Sequence, residues 1–147
     1  MELMKAGTSD AVILVAISKR AFDSDVEVGA PSAVGPPGYK ALPFHMKMAR
    51  NGNLYKLVDD DGLIAGGAVL FPDKEKLYVG RIFVAPEHFR KGYGKFIMKE
   101  IEAMFPETKE FLLDTPVWNK RTNAFYTKLG YEEVRRDKEF IYYLKTT

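Results

Sequence analysis

The stretch PEHFRKGYGK, from Pro86 to Lys95, decides the fold of this chain because it separates two apolar runs of different period. The run before it, RIFVA (81–85), is typical of a strand. The run after it, KFIMKEIEAMF (95–105), repeats apolar residues at helical spacing and predicts an amphipathic helix. A strand, a glycine-bearing turn and a helix therefore follow one another here.

The turn carries the features of an anion site. Gly92 and Gly94 have no Cβ, so the backbone can approach a ligand closely. The N–H groups at the start of a helix lack intrahelical partners and favour anions. Arg90, Lys91 and Lys95 add positive charge at the same place. The turn is thus predicted to bind a phosphate or pyrophosphate.

The spacing of the glycines separates this turn from two well-known phosphate loops. No Gly-Lys-Ser/Thr follows, as a P-loop requires, and Ile97 stands where a dinucleotide fingerprint has its third glycine. A glycine pair alone is commonly plain turn chemistry. If the turn binds phosphate, backbone amides do so without a magnesium-binding hydroxyl.

Length and composition limit the classes of protein to which this chain can belong. The 147 residues fit a single domain, 1–147. The 22 basic and 20 acidic residues leave a net charge of +2, which argues against a general nucleic-acid binder. The absence of cysteine excludes disulfides and a cysteine nucleophile, and two distant histidines predict no metal site.

The N-terminus and the apolar runs allow a prediction of where in the cell the protein is found. MELMKAGTSD lacks the pattern of a signal peptide, and no apolar run approaches the roughly 20 residues of a membrane span. We therefore expect a soluble cytoplasmic protein with no membrane partner.

Periodicity and turn residues predict the other elements. Helices are expected at 11–22, 42–50 and 120–129, and strands at 2–6, 54–58, 63–71, 77–85, 111–115, 131–136 and 139–145, with a long loop at 23–38. Turns are expected at 59–62 and 72–76, with a bulge at Gly66–Gly67. A strand–helix–strand step across the glycine turn implies a parallel pair, whereas hairpins join the other strands. The fold class is α/β (α+β), a mixed, mostly antiparallel sheet of about seven strands flanked by about four helices.

A second motif, WNKRTNAFYTKLGYEE (118–133), follows a predicted buried strand. Asn119 opens a helix, and Tyr126 lies seven residues on, about two turns, so both side chains can face one side. Taken alone, Asn119 is typical of an N-cap, and a lone helical tyrosine is typical of a core.

The two motifs together resemble the GNAT superfamily of N-acetyltransferases. Members carry a Gln/Arg-x-x-Gly-x-Gly/Ala turn at the start of a helix, and in this chain the turn reads FRKGYG (89–94). Members also carry a later helix that begins with Asn, and in this chain it reads NKRTNAFYTKLGY (119–131). The order of elements matches the family's acyl-CoA N-acyltransferase fold over essentially the whole chain. One departure is Phe89, which stands at the family's Gln/Arg position.

The resemblance implies a cofactor and its contacts. Acetyl-CoA would bind and CoA would leave as product. The backbone of Ile82, Phe83 and Val84 would lie along the pantetheine arm, and Asn119 would bond that arm. The amides of the turn would hold the pyrophosphate, with these residues as binding candidates: Phe89, Arg90, Lys91, Gly92, Tyr93, Gly94 and Lys95. Tyr126 would be the catalytic residue that protonates the thiolate.

Acetyl transfer to an amine also needs a base, because an amine with a pKa of about 10 is cationic at neutral pH. The candidates are His45, Glu75, His88 and Asp114, or a water chain to bulk solvent. The sequence does not choose among them.

The acceptor and the partners remain open at this stage. The resemblance implies a primary amine of a small molecule or peptide, bound by residues from 22 to 50 and by the last hairpin. Asp23, Asp25 and Glu27 would favour a cationic amine, or they simply solvate a loop. The alternative function is a non-catalytic acyl-CoA-binding or sensing module of the same fold. Dimers are common in the family, so a homodimer is one expected assembly.

Overall fold

The computed structural model describes all residues, Met1–Thr147, and contains four helices and seven strands. In chain order these are β1 (Glu2–Lys5), α1 (Ala11–Asp23), α2 (Leu42–Arg50), β2 (Leu54–Val58), β3 (Ile64–Asp73), β4 (Lys76–Val84), α3 (Tyr93–Met104), β5 (Glu110–Pro116), α4 (Lys120–Lys128), β6 (Glu132–Arg136) and β7 (Phe140–Thr146). The predicted order of helices and strands is confirmed.

The strands form one seven-stranded sheet in the order β1-β2-β3-β4-β5-β7-β6. Only β4 and β5 pair in parallel, and every other neighbouring pair is antiparallel. The parallel pair is the one predicted across the glycine turn, because a crossover helix, α3, must return the chain to the same end of the sheet.

Helices cover both faces of the sheet. One apolar cluster joins α1 and α2 to the sheet through Leu14, Ile17 and Met48, and we refer to this side as the α1 face. The other cluster joins α3 and α4 to the sheet through Ile97, Ile101 and Tyr126, and we refer to this side as the α3 face. Along β5, Phe111 and Leu113 alternate with less buried residues and point to the α3 face, as the two-residue period of a strand requires.

Three predicted local features are wrong in detail. Helix α3 begins at Tyr93 rather than Lys95, because Gly92 serves as its N-cap. Pro72 belongs to β3, opposite Leu77 of β4, so the turn is shorter than 72–76. Part of the predicted loop at 23–38 is a short 3-10 helix over Ser24–Val28.

The meander contains two bulges, and one of them lies next to the predicted position at Gly66–Gly67. Leu57 of β2 pairs with Gly66 and Val58 pairs with Ile64, so Ala65 is the extra residue on β3. The second bulge has no counterpart in the prediction and lies on β4 at Gly80, between Arg81, opposite Val69, and Val79, opposite Leu70. Gly66 also allows close strand packing, since a Cβ on it would lie 2.5 Å from the Phe83 carbonyl oxygen.

None of the helices combines the length and apolar character that crossing a membrane requires.

Candidate functional site

A cleft opens between β4 and β5, the two parallel strands at the centre of the sheet. They pair only over Lys76–Tyr78 and Glu110–Leu112, and beyond those residues no ladder joins them. The C-terminal half of β4 therefore has one edge bound to β3 and one edge free. A free strand edge presents N–H and C=O groups that a peptide-like ligand can pair with.

The register shows which backbone groups face this cleft. The Ala85 N–H donates to the Ala65 carbonyl at 2.8 Å, and the pairs Val84–Gly66 and Phe83–Gly67 follow in order. Bonded and non-bonded pairs alternate along an antiparallel ladder, so Phe83 directs its N–H and C=O towards β3. Ile82 and Val84 direct theirs towards the cleft.

The bulge at Gly80 decides which side chains of β4 lie on which face. Leu77 and Val79 pack in the cluster of the α3 face, whereas Phe83 packs in the cluster of the α1 face. The extra residue at Gly80 reverses the alternation, so that Arg81 lies on the α1 face together with Phe83.

The glycine turn lies at the end of the cleft and has no internal partners for its amides. The six successive N–H groups from Arg90 to Lys95 make no hydrogen bond within the chain, whereas the Phe89 N–H donates to the Pro86 carbonyl at 3.1 Å. Both Arg90, at φ 64°, and Gly92, at φ 82°, are left-handed. Successive unpaired amides in such a turn, at the start of a 12-residue helix, form an anion-binding concavity.

The side chains around the turn have separate roles. Phe89 packs into the cluster of the α1 face, and the Arg121 guanidinium lies 5.0 Å from the centre of its ring. Tyr93 stacks on His88, with ring centres 4.7 Å apart. Gly94 faces α4, where a Cβ would lie 3.4 Å from the Phe125 ring. The departure at Phe89 therefore replaces a polar side chain by a packing one and leaves the amides free.

Helix α4 places Asn119 and Tyr126 beside the same cleft. The Asn119 Oδ1 accepts the N–H of Thr122 at 3.1 Å, so the side chain caps the helix. Its Nδ2 makes no hydrogen bond within the chain and stays available to a ligand. Tyr126 is buried in the cluster of the α3 face. Burial, and then the charge of Asp114, raise the pKa of the Tyr126 hydroxyl above 10.0, so this hydroxyl keeps its proton at neutral pH.

The four candidate bases lie in different places. His45 is fully buried on α2, where its Nδ1 donates to the Ala41 carbonyl at 2.9 Å. Glu75 lies in the β3–β4 turn and pairs with Lys109 at 3.3 Å, far from the open part of the cleft. His88 stacks on Tyr93 beside the glycine turn, and its Nδ1 is closed off from solvent without a hydrogen-bond partner.

Asp114 is the candidate that lies at the cleft. It stands on β5 just beyond the paired segment, and it points to the α1 face because its neighbours Leu113 and Thr115 are buried on the other side. Its carboxylate accepts a hydrogen bond from the Tyr78 hydroxyl of β4. Tyr126 thus lies on the α3 face and Asp114 points to the α1 face, yet the two are close enough for the charge of Asp114 to raise the pKa of Tyr126.

The acids Asp23, at the end of α1, and Asp25, just after it, are engaged in structural contacts. Asp23 accepts the Tyr39 hydroxyl at 2.7 Å and pairs with Lys19 at 2.6 Å. Asp25 pairs with Arg121 at 3.2 Å. These two carboxylates anchor the segment and α4, which leaves only Glu27 exposed and unpaired for selecting a cationic amine.

The burial of Asp25 leads to a prediction of how the stability of the fold depends on pH. Burial raises its pKa from 3.8 to about 6, although Arg121 opposes the shift. The folded state then binds more protons than the unfolded state between these pH values, so stability falls as pH rises. Relative to Asp25→Asn, the wild type should lose about 2 kcal/mol of unfolding free energy between pH 4 and pH 7. Urea denaturation of both proteins at pH 4 and pH 7 measures this difference in unfolding free energy. The same change of stability with pH in both proteins would contradict the prediction.

Sequence reasoning missed two side chains that lie on the α1 face beside the cleft, Tyr78 and Arg81. A charged residue inside the apolar strand LYVGRIFV was the available signal for Arg81. Its position could not be read from the alternation, because the bulge at Gly80 changes the face.

Comparison with known proteins identifies a family and a shared fold. The family model described as "Acetyltransferase (GNAT) family" matches residues 24–131. A PaiA N-acetyltransferase from Thermoplasma acidophilum, solved in complex with coenzyme A, has a TM-score of 0.81 at 18% identity, covering 99% of this chain and 98% of that one. A GNAT acetyltransferase from Listeria monocytogenes gives a TM-score of 0.82 at 15% identity, covering 99% and 94%. An acetyltransferase from Thermus thermophilus gives 0.80 at 13% identity, covering 99% and 96%. At these identities the solved structures show a shared fold.

Proposed function

Because this chain belongs to the acetyltransferase (GNAT) family, whose chemistry is acyl transfer from acetyl-CoA, we propose that it is an N-acetyltransferase. It binds acetyl-CoA in the cleft between β4 and β5 and moves the acetyl group directly to a primary amine of a small molecule or peptide. The observation that carries the proposal is the run of unpaired amides from Arg90 to Lys95 at the end of that cleft.

The cleft and the turn suit the two halves of the cofactor. The free backbone groups of Ile82 and Val84 are a strand edge on which the amide-bearing pantetheine arm can lie. The unpaired amides of the turn suit the pyrophosphate, and the Asn119 Nδ2 can donate to the arm from α4. Lys91 and Lys95 are close enough in sequence to add charge. The solved complex of the PaiA N-acetyltransferase with coenzyme A supports this choice of ligand.

The chemistry assigned to the chain's own groups follows from their positions. Acetyl-CoA, when bound, supplies the acetyl group as a thioester. The Tyr126 hydroxyl holds its proton at neutral pH and donates it to the departing sulfur. The Asp114 carboxylate, held by Tyr78, accepts a proton from the acceptor amine on the opposite face. The Val84 N–H faces the cleft and can donate to a developing oxyanion.

Titration of acetyl-CoA into the protein tests the proposal, with two glycine variants as a matched pair. Gly92, at φ 82°, and Gly62, at φ 80°, have similar backbone conformations, and a Cβ on either would meet nothing within 4 Å. Alanine therefore introduces the same left-handed strain at both sites. We expect Gly92→Ala to weaken acetyl-CoA binding about tenfold, because the strained turn misaligns its amides. Gly62→Ala, in the β2–β3 hairpin, should bind normally.

The outcomes separate the proposal from ordinary turn chemistry. If the wild type binds acetyl-CoA and only Gly92→Ala weakens this binding, the turn is the pyrophosphate site. Equal affinity of both variants would place the pyrophosphate elsewhere. Absence of any calorimetric signal for the wild type would refute the acetyltransferase proposal.

A further inference from the structure

Arg81 is a cation without a counter-charge, at the edge of the cleft. Its Nε and Nη1 are closed off from solvent and have no hydrogen-bond partner. No carboxylate lies within ion-pair distance of it. Buried polar groups are nearly always bonded, and an unpaired buried charge is costly. Such an exception calls for a ligand.

The neighbours of Arg81 do not supply the missing charge. Its guanidinium lies 4.5 Å from the centre of the Phe44 ring of α2. His45 is fully buried, and burial together with the charge of Arg81 lowers its pKa, so it is neutral at pH 7. Burial and the bonded Asp114 raise the pKa of Tyr78, which is neutral as well. The His45 Nε2 is also closed off and unpartnered, so two adjacent side chains have unmet polar atoms.

The guanidinium remains open on one side. Its third nitrogen, Nη2, makes no hydrogen bond within the chain but is not closed off from solvent, in contrast to Nε and Nη1. A guanidinium offers carboxylates two edges, Nε with Nη2 and Nη1 with Nη2, and the open Nη2 belongs to both. A single arginine carries one positive charge, which suits a monoanion better than a phosphate dianion. A carboxylate is therefore the fitting ligand.

The position of Arg81 relates this anion site to the reaction. It follows the bulge at Gly80 and precedes Ile82, whose backbone faces the cleft. Arg81 shares the α1 face with Asp114, and Tyr78 lies between them. The Tyr78 hydroxyl donates a hydrogen bond to Asp114. Tyr78 is also close enough to Arg81 that each of these two residues affects the pKa of the other. A cationic group and an anionic group thus lie on either side of Tyr78.

We infer that the acceptor is an amine that also bears a carboxylate, such as an amino acid, with its carboxylate bound by Arg81 while its amine faces Asp114 and the cleft. This inference rests on the proposed function and names the substrate class for it. Arg81 is then a residue that determines specificity, and it has no contact with the pyrophosphate turn.

Matched acceptors test the inference on the wild type. CoA release is measured with the common amino acids, with ω-amino acids, and with the same compounds as carboxamides. We expect kcat/KM for the acids to exceed that for their amides about 100-fold, because a site built for a polar group rejects the analogue that lacks it. Equal use of acids and amides, or the use of no acid in the panel, would overturn the inference.

Variants test whether Arg81 is responsible for the preference for acids over amides. Arg81→Met keeps an apolar stem against Phe44 and removes the charge, so it should abolish the preference for acids and change the use of amides little. Arg81→Lys should retain part of the preference, and Arg50→Met, at the exposed end of α2, should retain all of it. An equal loss for acids and amides in Arg81→Met, with unchanged acetyl-CoA affinity, would contradict the assigned role.

Two binding measurements distinguish failure of this inference from failure of the proposed function. Titration of acetyl-CoA should give the same Kd for wild type and Arg81→Met. Titration of an N-acetyl amino acid into the CoA complex should show binding to the wild type and none to Arg81→Met. Intact acetyl-CoA binding without any dependence on the carboxylate would refute only the inference, whereas loss of acetyl-CoA binding by the wild type would refute both.

Discussion

Tyr126→Phe should lower kcat by about 10²–10⁴-fold and leave the Kd for acetyl-CoA unchanged, because the variant loses the proton donor and keeps the ring. The hydroxyl belongs to a buried residue whose pKa is raised by burial and by Asp114, so its proton is fully present at pH 7. Steady-state kinetics, with calorimetric titration of the cofactor, measures both quantities.

Tyr131→Phe is the matched control for this experiment. Tyr131 lies in the same aromatic cluster, with its ring centre 5.9 Å from that of Tyr126, and its hydroxyl is buried without a partner. Removal of that hydroxyl should leave kcat close to the wild-type value. A wild type that binds acetyl-CoA but releases no CoA with any amine would favour the alternative, a non-catalytic acyl-CoA-binding module. Equal rates for Tyr126→Phe and the wild type would instead remove Tyr126 from the mechanism.

Asp114→Asn is expected to lower kcat/KM about 10²-fold at pH 7, because the amide cannot accept the proton of the acceptor amine. The amide is nearly isosteric and can still accept the hydrogen bond of the Tyr78 hydroxyl, so the fold should persist. The loss should shrink as pH rises towards the pKa of the amine, since a deprotonated amine needs no base. The pH profile of kcat/KM for both proteins is the measurement.

A structural role for Asp114 would give a different profile. It would produce a loss that is constant with pH, or a lower melting temperature. Glu110→Gln provides the control, because Glu110 lies at the start of the same strand and pairs with Lys76 at 3.6 Å on the closed side of the cleft. This variant should keep the wild-type profile. If Asp114→Asn has wild-type activity at pH 7, a water chain remains the better candidate for the base.

Local patterns in the sequence determined the order of the elements and the position of the glycine turn. The helix α2, predicted at 42–50, ends where Asn51–Gly52 interrupts the helical pattern. Helix α4 begins at an Asn cap and is followed by Gly130 at φ 94°. These features depend on backbone conformation and on hydrogen bonds between residues near in sequence, which residue type controls directly. The parallel pairing of β4 with β5 also followed, because only a crossover can join such strands.

Only the tertiary structure decided which side chains meet at the cleft. The bulge at Gly80, which the sequence did not predict, turns Arg81 to the α1 face. The contact between Tyr78 and Asp114 joins residues 36 positions apart across the point where two strands separate. Such contacts depend on register and on where a ladder ends, which are set by packing across the whole sheet. The sequence by itself therefore predicted the glycine turn at a helix N-terminus, while the three-dimensional packing determined which charged side chains lie beside the cleft.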